Sequence, residues 1–249
     1  MPSSPALQTG AARAAHDWSA IPSPEHAAAA ARRPNFYVAP HKALRLAMGD
    51  ALAAAGRVDP HDDADVARLA AHVCELVAFC RTHLEKEDEI VHPAMEARRP
   101  GSAASTRGEH LDHLNALARL EAGARALEVA RGTEREAAAA ALYRQLALFV
   151  ADNLVHMHEE ETVNNAVLLA EYTDEELAAL EQRIVGSIPP AVLQLALSWM
   201  VPAMNPGERA TLLADIRAHA PAPAFEALLA GAQSRLTEAE RRKLAQALN

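Results

Sequence analysis

The chain has 249 residues, half of them hydrophobic, and its 24 basic and 33 acidic side chains give a formal charge of −9 at pH 7. This length is enough to bury a sizeable core. The acidic balance argues against nucleic acid or an anionic membrane as the main partner, because both bind clustered Lys and Arg. Aromatic residues make up 4% of the chain, whereas 12 residues are histidine. So few aromatic residues among many Ala and Leu indicate packed helices rather than sheets.

The two cysteines and the hydropathy of the chain bear on its compartment. Cys74 and Cys80 lie in one predicted helix, too far apart to form a disulfide with each other. Residues 1–34 contain no apolar run typical of a signal peptide, and no stretch reaches the ~18–20 uninterrupted apolar residues of a membrane span. We therefore expect a soluble, cytoplasmic protein in a reducing compartment.

Helix-start and helix-stop signals divide the chain into a tail and a series of helices. Residues 1–34 are rich in Ala, Pro and Ser without sustained periodicity, which predicts a disordered tail. Capping boxes, in which a threonine and a glutamate three residues later satisfy free backbone N–H groups, are expected at Thr106, Thr133, Thr173 and Thr237. Four long helices are predicted: Pro40 to Gly56, Asp63 to about Val91 before Pro93, Thr106 to Gly132, and Thr133 to about residue 170.

No segment has the pattern of a strand, so the predicted fold class is all-α. Short connections between the long helices predict an up-down-up-down four-helix bundle over residues 35–172. Prolines then separate shorter helices, which we expect to form a smaller helical extension over residues 173–249.

Histidine interrupts the apolar stripe of all four long helices, although this stripe should face the core. The interruption lies at the start of the first and third helices and near the end of the second and fourth, which is the same end of such a bundle. At ~1.5 Å per residue, the polar residues of the second, third and fourth helices lie at similar distances from the opposite ends of their helices. We therefore expect them at one level of the core. The stripes are Tyr37, His41, Leu44, Met48, Leu52; Val66, Leu69, Val73, Leu76, Cys80, His83, Glu87, Ile90; His110, His113, Leu117, Leu120, Ala124, Leu127; and Leu142, Leu146, Phe149, Asn153, His156, Glu160, Val163, Val167.

Burying several imidazoles and two carboxylates together predicts a metal site. Charged groups left unpaired in a core are costly, so they must be neutralised or coordinated. A histidine and a glutamate at positions i and i+4 share one helical face, as in His83-x-x-x-Glu87 and His156-x-x-x-Glu160. Such mixed imidazole and carboxylate ligation suits iron or manganese, with zinc as a further alternative.

The order His41, His83-x-x-x-Glu87, His110, His156-x-x-x-Glu160 resembles the hemerythrin-like, or HHE cation-binding, domain. The resemblance implies two non-haem iron ions with an oxo or hydroxo bridge, Glu87 and Glu160 as bridging carboxylates, and His41, His83, His110 and His156 as terminal ligands. His113 is the candidate for a fifth histidine ligand. Oxygen-carrying members look to have His-x-x-x-His on the third helix, where this chain has Leu114, and their fourth-helix carboxylate aligns with Glu161. Both departures weaken an assignment as a reversible oxygen carrier.

Three functions are compatible with these residues. The first is binding or sensing of oxygen, peroxide, nitric oxide or iron itself at the metal pair. The second is a catalase-like enzyme that consumes peroxide. The third is a metal-dependent regulatory module that acts through its C-terminal helices, on another copy of the chain or on a protein partner.

Several residues outside the ligand set have two interpretations. Tyr37 and Asn153 lie one turn from a predicted ligand, where they either hydrogen-bond a species held at the cluster or fill the edge of the core. His72, His92 and His158 are assigned to surface or structural positions.

Overall fold

The computed structural model describes Arg33 and residues 35–248, so the predicted tail, residues 1–34, lies outside the described residues apart from Arg33. Within the described residues all regular structure is helical, and the all-α prediction is confirmed. The helices are α1 Val38–Arg57, α2 Asp63–Lys86, α3 His92–Arg98, α4 Ala104–Val129, α5 Gly132–Glu159, α6 Asn165–Glu171, α7 Asp174–Ser187, α8 Pro190–Ala203, α9 Pro206–His219, α10 Ala222–Gln233 and α11 Glu238–Leu248.

The four long helices α1, α2, α4 and α5 form the bundle. Helix α4 packs between α2 and α5, and α1 closes the bundle by packing against the same two helices. The predicted stripes face inward, with Met48, Val73, Leu120 and Leu146 each 0–1% exposed. Close packing of this apolar stripe is what stabilises a bundle of helices.

Two of the four expected capping boxes form. Thr173 and Glu176 satisfy each other's backbone N–H groups, and so do Thr237 and Glu240. The boxes at Thr106 and Thr133 were wrong. Gly101 adopts φ +85°, a left-handed conformation that favours glycine, and lets α4 begin at Ala104, so Thr106 already lies inside the helix. Helix α5 begins at Gly132, with Arg131 at its N-cap and no side-chain cap.

A π-helical turn follows α2 and another follows α5. They span Glu87–Val91 and Glu160–Asn164, and the N–H of His92 bonds to the carbonyl of Glu87, five residues back. The predicted helix end before Pro93 was wrong, because the π turn carries the chain directly into α3 with Pro93 in its first turn, where no N–H donor is needed. The second π turn shifts the phase of the fourth stripe, so Val163 is 54% exposed while Asn164 is buried.

The buried polar groups separate two apolar clusters along the bundle. The larger cluster contains Leu44, Leu84, Leu117 and Met157 and fills the bundle below the histidines. The smaller contains Tyr37, Ile90, Val91, Ala103, Val167 and Leu168 and lies beyond them, against α7. The buried polar residues therefore lie between two apolar regions of the bundle.

The C-terminal helices pack onto the bundle. Helix α8 lies along α1, and its Trp199 belongs to the larger apolar cluster and donates to Glu75 of α2 at 3.0 Å. Helices α9, α10 and α11 share a third cluster around Leu213 and Phe225. The boundary between bundle and extension at residue 172 stays a prediction. No single described helix is long and apolar enough to cross a membrane, although α7 and α8 taken together across a 117° bend would be by length and composition.

Candidate metal centre

Four imidazoles from the four long helices meet two carboxylates from the π turns after α2 and α5 at one level of the bundle. They form two groups of four, and within each group one potential ligand atom per residue lies within 4.8 Å of every other. Both groups use the same two carboxylates. The first group is His41, His83, Glu87 and Glu160, and the second is Glu87, His110, His156 and Glu160.

The spacing of the ligand atoms is close to the edges of a coordination shell, with some nitrogen–oxygen distances slightly longer. In the first group the two Nε2 atoms of His41 and His83 lie 3.2 Å apart, and in the second those of His110 and His156 also lie 3.2 Å apart. Distances from Nε2 to the carboxylate oxygens run from 3.2 Å, for His83 and Glu87, to 3.8 Å, for His41 and Glu87. Donors bound about 2.1 Å from one cation lie roughly 3.0–3.4 Å apart at octahedral or tetrahedral angles. Each group is therefore arranged to hold one cation.

The two shared carboxylates are buried without hydrogen-bond partners. Glu87 is 4% exposed and Glu160 is 0% exposed. Among the described residues, no donor makes a well-formed hydrogen bond to any of their four oxygens. Such buried acceptors are unfavourable on their own and favourable as ligands of a cation. The residues present fit a pair of metal ions, to which Glu87 and Glu160 would both be available as ligands.

Carboxylates outside the two groups orient three of the four imidazoles. Nδ1 of His41 lies 3.0 Å from Glu161, Nδ1 of His110 lies 2.9 Å from Asp88, and Nδ1 of His156 lies 2.7 Å from Glu109. Because a carboxylate only accepts, each of these Nδ1 atoms carries a hydrogen, and Nε2, which faces the centre, is left to bind a cation or a proton. This arrangement is typical of metal-bound histidine and raises its basicity.

The charges of the centre balance one another. Burial would lower the pKa of His41 and of His156, but Glu160 with Glu161 and Glu87 around the first, and Glu109 with Glu160 around the second, raise each to about 10. Burial would raise the pKa of Glu160, yet the neighbouring imidazoles hold it well below its ordinary value. Burial and the nearby Glu160 raise the pKa of Glu87. In the absence of metal, His41 and His156 are therefore protonated at neutral pH, and their positive charges offset the negative charge of Glu160.

His113 and Glu161 take other positions. His113 is fully buried and its ring packs edge-on against His156 at 4.7 Å, but its Nε2 lies 2.8 Å from Asp152 and it belongs to neither group of four. Glu161 bonds to His41 and to Arg45, and so supports a ligand instead of joining either group. The assignment of His113 as a ligand stays a prediction, which these contacts do not support.

A family model described as the hemerythrin HHE cation-binding domain matches residues 35–168, more than half of the chain. The chain belongs to the hemerythrin family. No curated protein and no solved structure matches it. The matched residues of this hemerythrin domain include all four long helices and every member of both groups of four, so the domain contains groups able to hold a metal cation.

Sequence reasoning missed two carboxylates of this hemerythrin centre, Asp88 and Glu109, which accept hydrogen bonds from His110 and His156. Glu109 was assigned to a capping box, and Asp88 was given no role. His92, assigned to a surface or structural position, is 0% exposed and shares the Asp88 carboxylate with His110. The available signal was spacing, because Asp88 follows the predicted ligand Glu87 and Glu109 precedes the predicted ligand His110.

Proposed function

We propose that the protein binds two non-haem iron ions and uses them to bind or sense a small oxygen or nitrogen species, such as oxygen, peroxide or nitric oxide, or iron itself. The observation that supports this most directly is the sharing of two buried carboxylates, Glu87 and Glu160, by two groups of four potential ligands. Two imidazoles and two carboxylate oxygens supply four donors to each cation. Iron accepts up to six donors, so coordination positions remain for a further ligand.

When bound, a pair of iron ions supplies redox chemistry and open positions for small molecules. The residues of this chain orient the ligands and exclude water. Glu161, Asp88 and Glu109 hold His41, His110 and His156 with Nε2 inward. The apolar clusters on both sides exclude bulk water from the centre. We also propose a cytoplasmic location, where Cys74 and Cys80 would stay as the free thiols found here.

The test is metal content after loading with Fe(II) under anaerobic conditions, followed by optical spectra before and after exposure to oxygen. We expect about two iron ions per chain. Glu160→Gln should lose most of the iron because it removes a charged donor from both groups. Glu159→Gln, its neighbour outside both groups, is the matched control and should keep the iron. A wild-type protein without iron, or a Glu160→Gln variant with full iron content, would contradict the proposal.

The same preparation separates binding from turnover. A spectrum that returns on removal of oxygen indicates reversible binding, and an irreversible change indicates a centre that is oxidised instead. Evolution of oxygen from added peroxide would support the alternative of a peroxide-consuming enzyme.

A metal-dependent regulatory module is the second candidate, supported by the contacts of α1. This helix contributes His41 to the centre, and the next residue, Lys42, donates to both carboxylate oxygens of Glu208 in α9 at 2.7 Å. Helix α8 packs on the same helix α1. A shift of α1 on metal binding would therefore reach the C-terminal helices, which would then contact another copy of the chain or a protein partner.

Hydrogen exchange with and without iron tests this second candidate. We expect slower exchange in residues 190–219 when iron is bound, together with a change in molecular mass in solution if these helices form the contact between copies. Protection confined to the bundle would contradict it.

A further inference from the structure

Tyr37 places a phenol beside the metal centre. It lies one turn before His41, directly before α1, and its carbonyl accepts the N–H of His41 at 3.0 Å. Its ring centroid lies 5.4 Å from that of His41. The rest of the side chain packs in the smaller apolar cluster with residues such as Ile90 and Val167. The ring is therefore held by packing at the boundary between this cluster and the centre.

The hydroxyl of Tyr37 has no hydrogen-bond partner among the described residues, although the side chain is only 1% exposed. Leaving a buried hydroxyl unpaired is unfavourable, so an unpaired one in a rigid position needs an explanation. The Asn164 amide beside it donates one N–H to the hydroxyl of Thr106 at 3.2 Å. Thr106 is in turn 3.3 Å from His92, which bonds to Asp88. Thr106, His92 and Asp88 are thus bonded to one another.

The phenol of Tyr37 lies within the electrostatic field of the two shared carboxylates. Burial, followed by the negative charges of Glu160 and Glu87, raises its pKa well above the ordinary value. A phenol in this position, with its ring 5.4 Å from that of His41, keeps its proton at neutral pH and can donate a hydrogen bond. Asn153, the other residue one turn from a ligand, differs because its amide donates to the carbonyl of Phe149 at 2.9 Å within its own helix.

We propose that Tyr37 is a positioning residue whose hydroxyl donates a hydrogen bond to a small anionic ligand at the metal pair, of the class of azide or hydroperoxide. The inference rests on the proposed function, since it requires a metal pair that takes such a ligand. It adds a specificity determinant to that function. A phenol donor favours ligands with an electron-rich terminal atom over neutral diatomic molecules that accept hydrogen bonds weakly.

The test compares azide binding to iron-loaded wild-type protein, Tyr37→Phe and Tyr172→Phe by optical titration. Tyr172 is a matched control, because it packs against the same smaller cluster but its hydroxyl donates to the carbonyl of Ala94 at 2.8 Å. We expect all three proteins to hold the same amount of iron. The azide Kd should rise roughly ten- to hundredfold in Tyr37→Phe, the size expected for a lost hydrogen bond to a charged group, and stay within about twofold in Tyr172→Phe.

A second readout does not require the metal. Because the hydroxyl is unpaired without a ligand, metal-free Tyr37→Phe should unfold at the same temperature as metal-free wild type or at a higher one. A residue kept only for packing or stability would show no such combination of unchanged stability and weaker azide binding.

Three results would overturn the proposal. Unchanged azide affinity in Tyr37→Phe would show that the hydroxyl does not reach the ligand. Loss of iron from Tyr37→Phe would show that the hydroxyl acts on the metal and not on the ligand. If iron-loaded wild-type protein did not bind azide, there would be no ligand for Tyr37 to position. A wild-type protein without iron would instead refute the proposed function itself, and this inference with it.

Discussion

Replacing Glu109 with glutamine should weaken metal binding although Glu109 belongs to neither group of ligands. Its carboxylate accepts from Nδ1 of His156 at 2.7 Å, and the side chain is 23% exposed. Glutamine keeps the size and one acceptor oxygen but removes the charge. His156 would keep its orientation, but its Nε2 would be less basic and would bind the cation more weakly.

The magnitude follows from the change in this one hydrogen bond. A hydrogen bond to a charged group contributes about 1.5–3 kcal/mol and a neutral one about 0.5–1.5 kcal/mol. The difference of about 1–1.5 kcal/mol corresponds to a roughly tenfold lower affinity, at the low end of the 10–100-fold expected for partners of metal-bound histidine. Glu109→Ala removes the acceptor entirely, so its loss should approach a hundredfold.

The assay is anaerobic competition for Fe(II) against a chromogenic chelator. Glu121→Gln is the matched control, because Glu121 lies in the same helix, is 32% exposed and pairs with Arg81 and Arg125 away from the centre. We expect wild-type affinity from this control. The reasoning would be refuted if Glu109→Gln bound iron as tightly as wild type, or if Glu121→Gln lost as much affinity as Glu109→Gln.

Three further predictions concern protons, core packing and a helix cap. Because the pKa values of His41 and His156 are raised to about 10, metal binding at neutral pH should release at least about two protons, and affinity should rise with pH. Calorimetry in buffers of different ionisation enthalpy measures this release. A binding enthalpy that does not depend on the buffer would contradict it. Leu120→Ala should lower the free energy of unfolding of the metal-free protein by about 2–5 kcal/mol in urea titrations, since Leu120 is 1% exposed in the core; a loss below 1 kcal/mol would contradict close packing there. Thr173→Ala should cost about 1 kcal/mol by the same method, because it removes a formed capping box, and no change would argue against the box.

The ligand set was accessible from the sequence because it follows the period of the helix. Residues three and four apart share a face, so His83 and Glu87, like His156 and Glu160, had to point the same way. The up-down-up-down order then placed the histidines of all four helices at one level, as found. No long-range information was needed for this step.

What the sequence did not reveal depends on local departures from that period and on contacts between helices. A π turn adds a residue to one turn without a distinct sequence signal, which is why Val163 was placed on the buried stripe and is instead exposed. Glu109 fits a capping-box pattern, and only the bond to a histidine of another helix shows its role. The unpaired hydroxyl of Tyr37 likewise emerges only when its surroundings are known.

The central claim is that Glu87 and Glu160 are shared by two cations, and an anomalous difference map at the iron absorption edge from crystals of the iron-loaded protein tests it most directly. The account predicts two peaks about 3.5–4 Å apart, one between His41 and His83 and the other between His110 and His156, with both carboxylates between them. A single peak, or iron bound away from these two carboxylates, would contradict it.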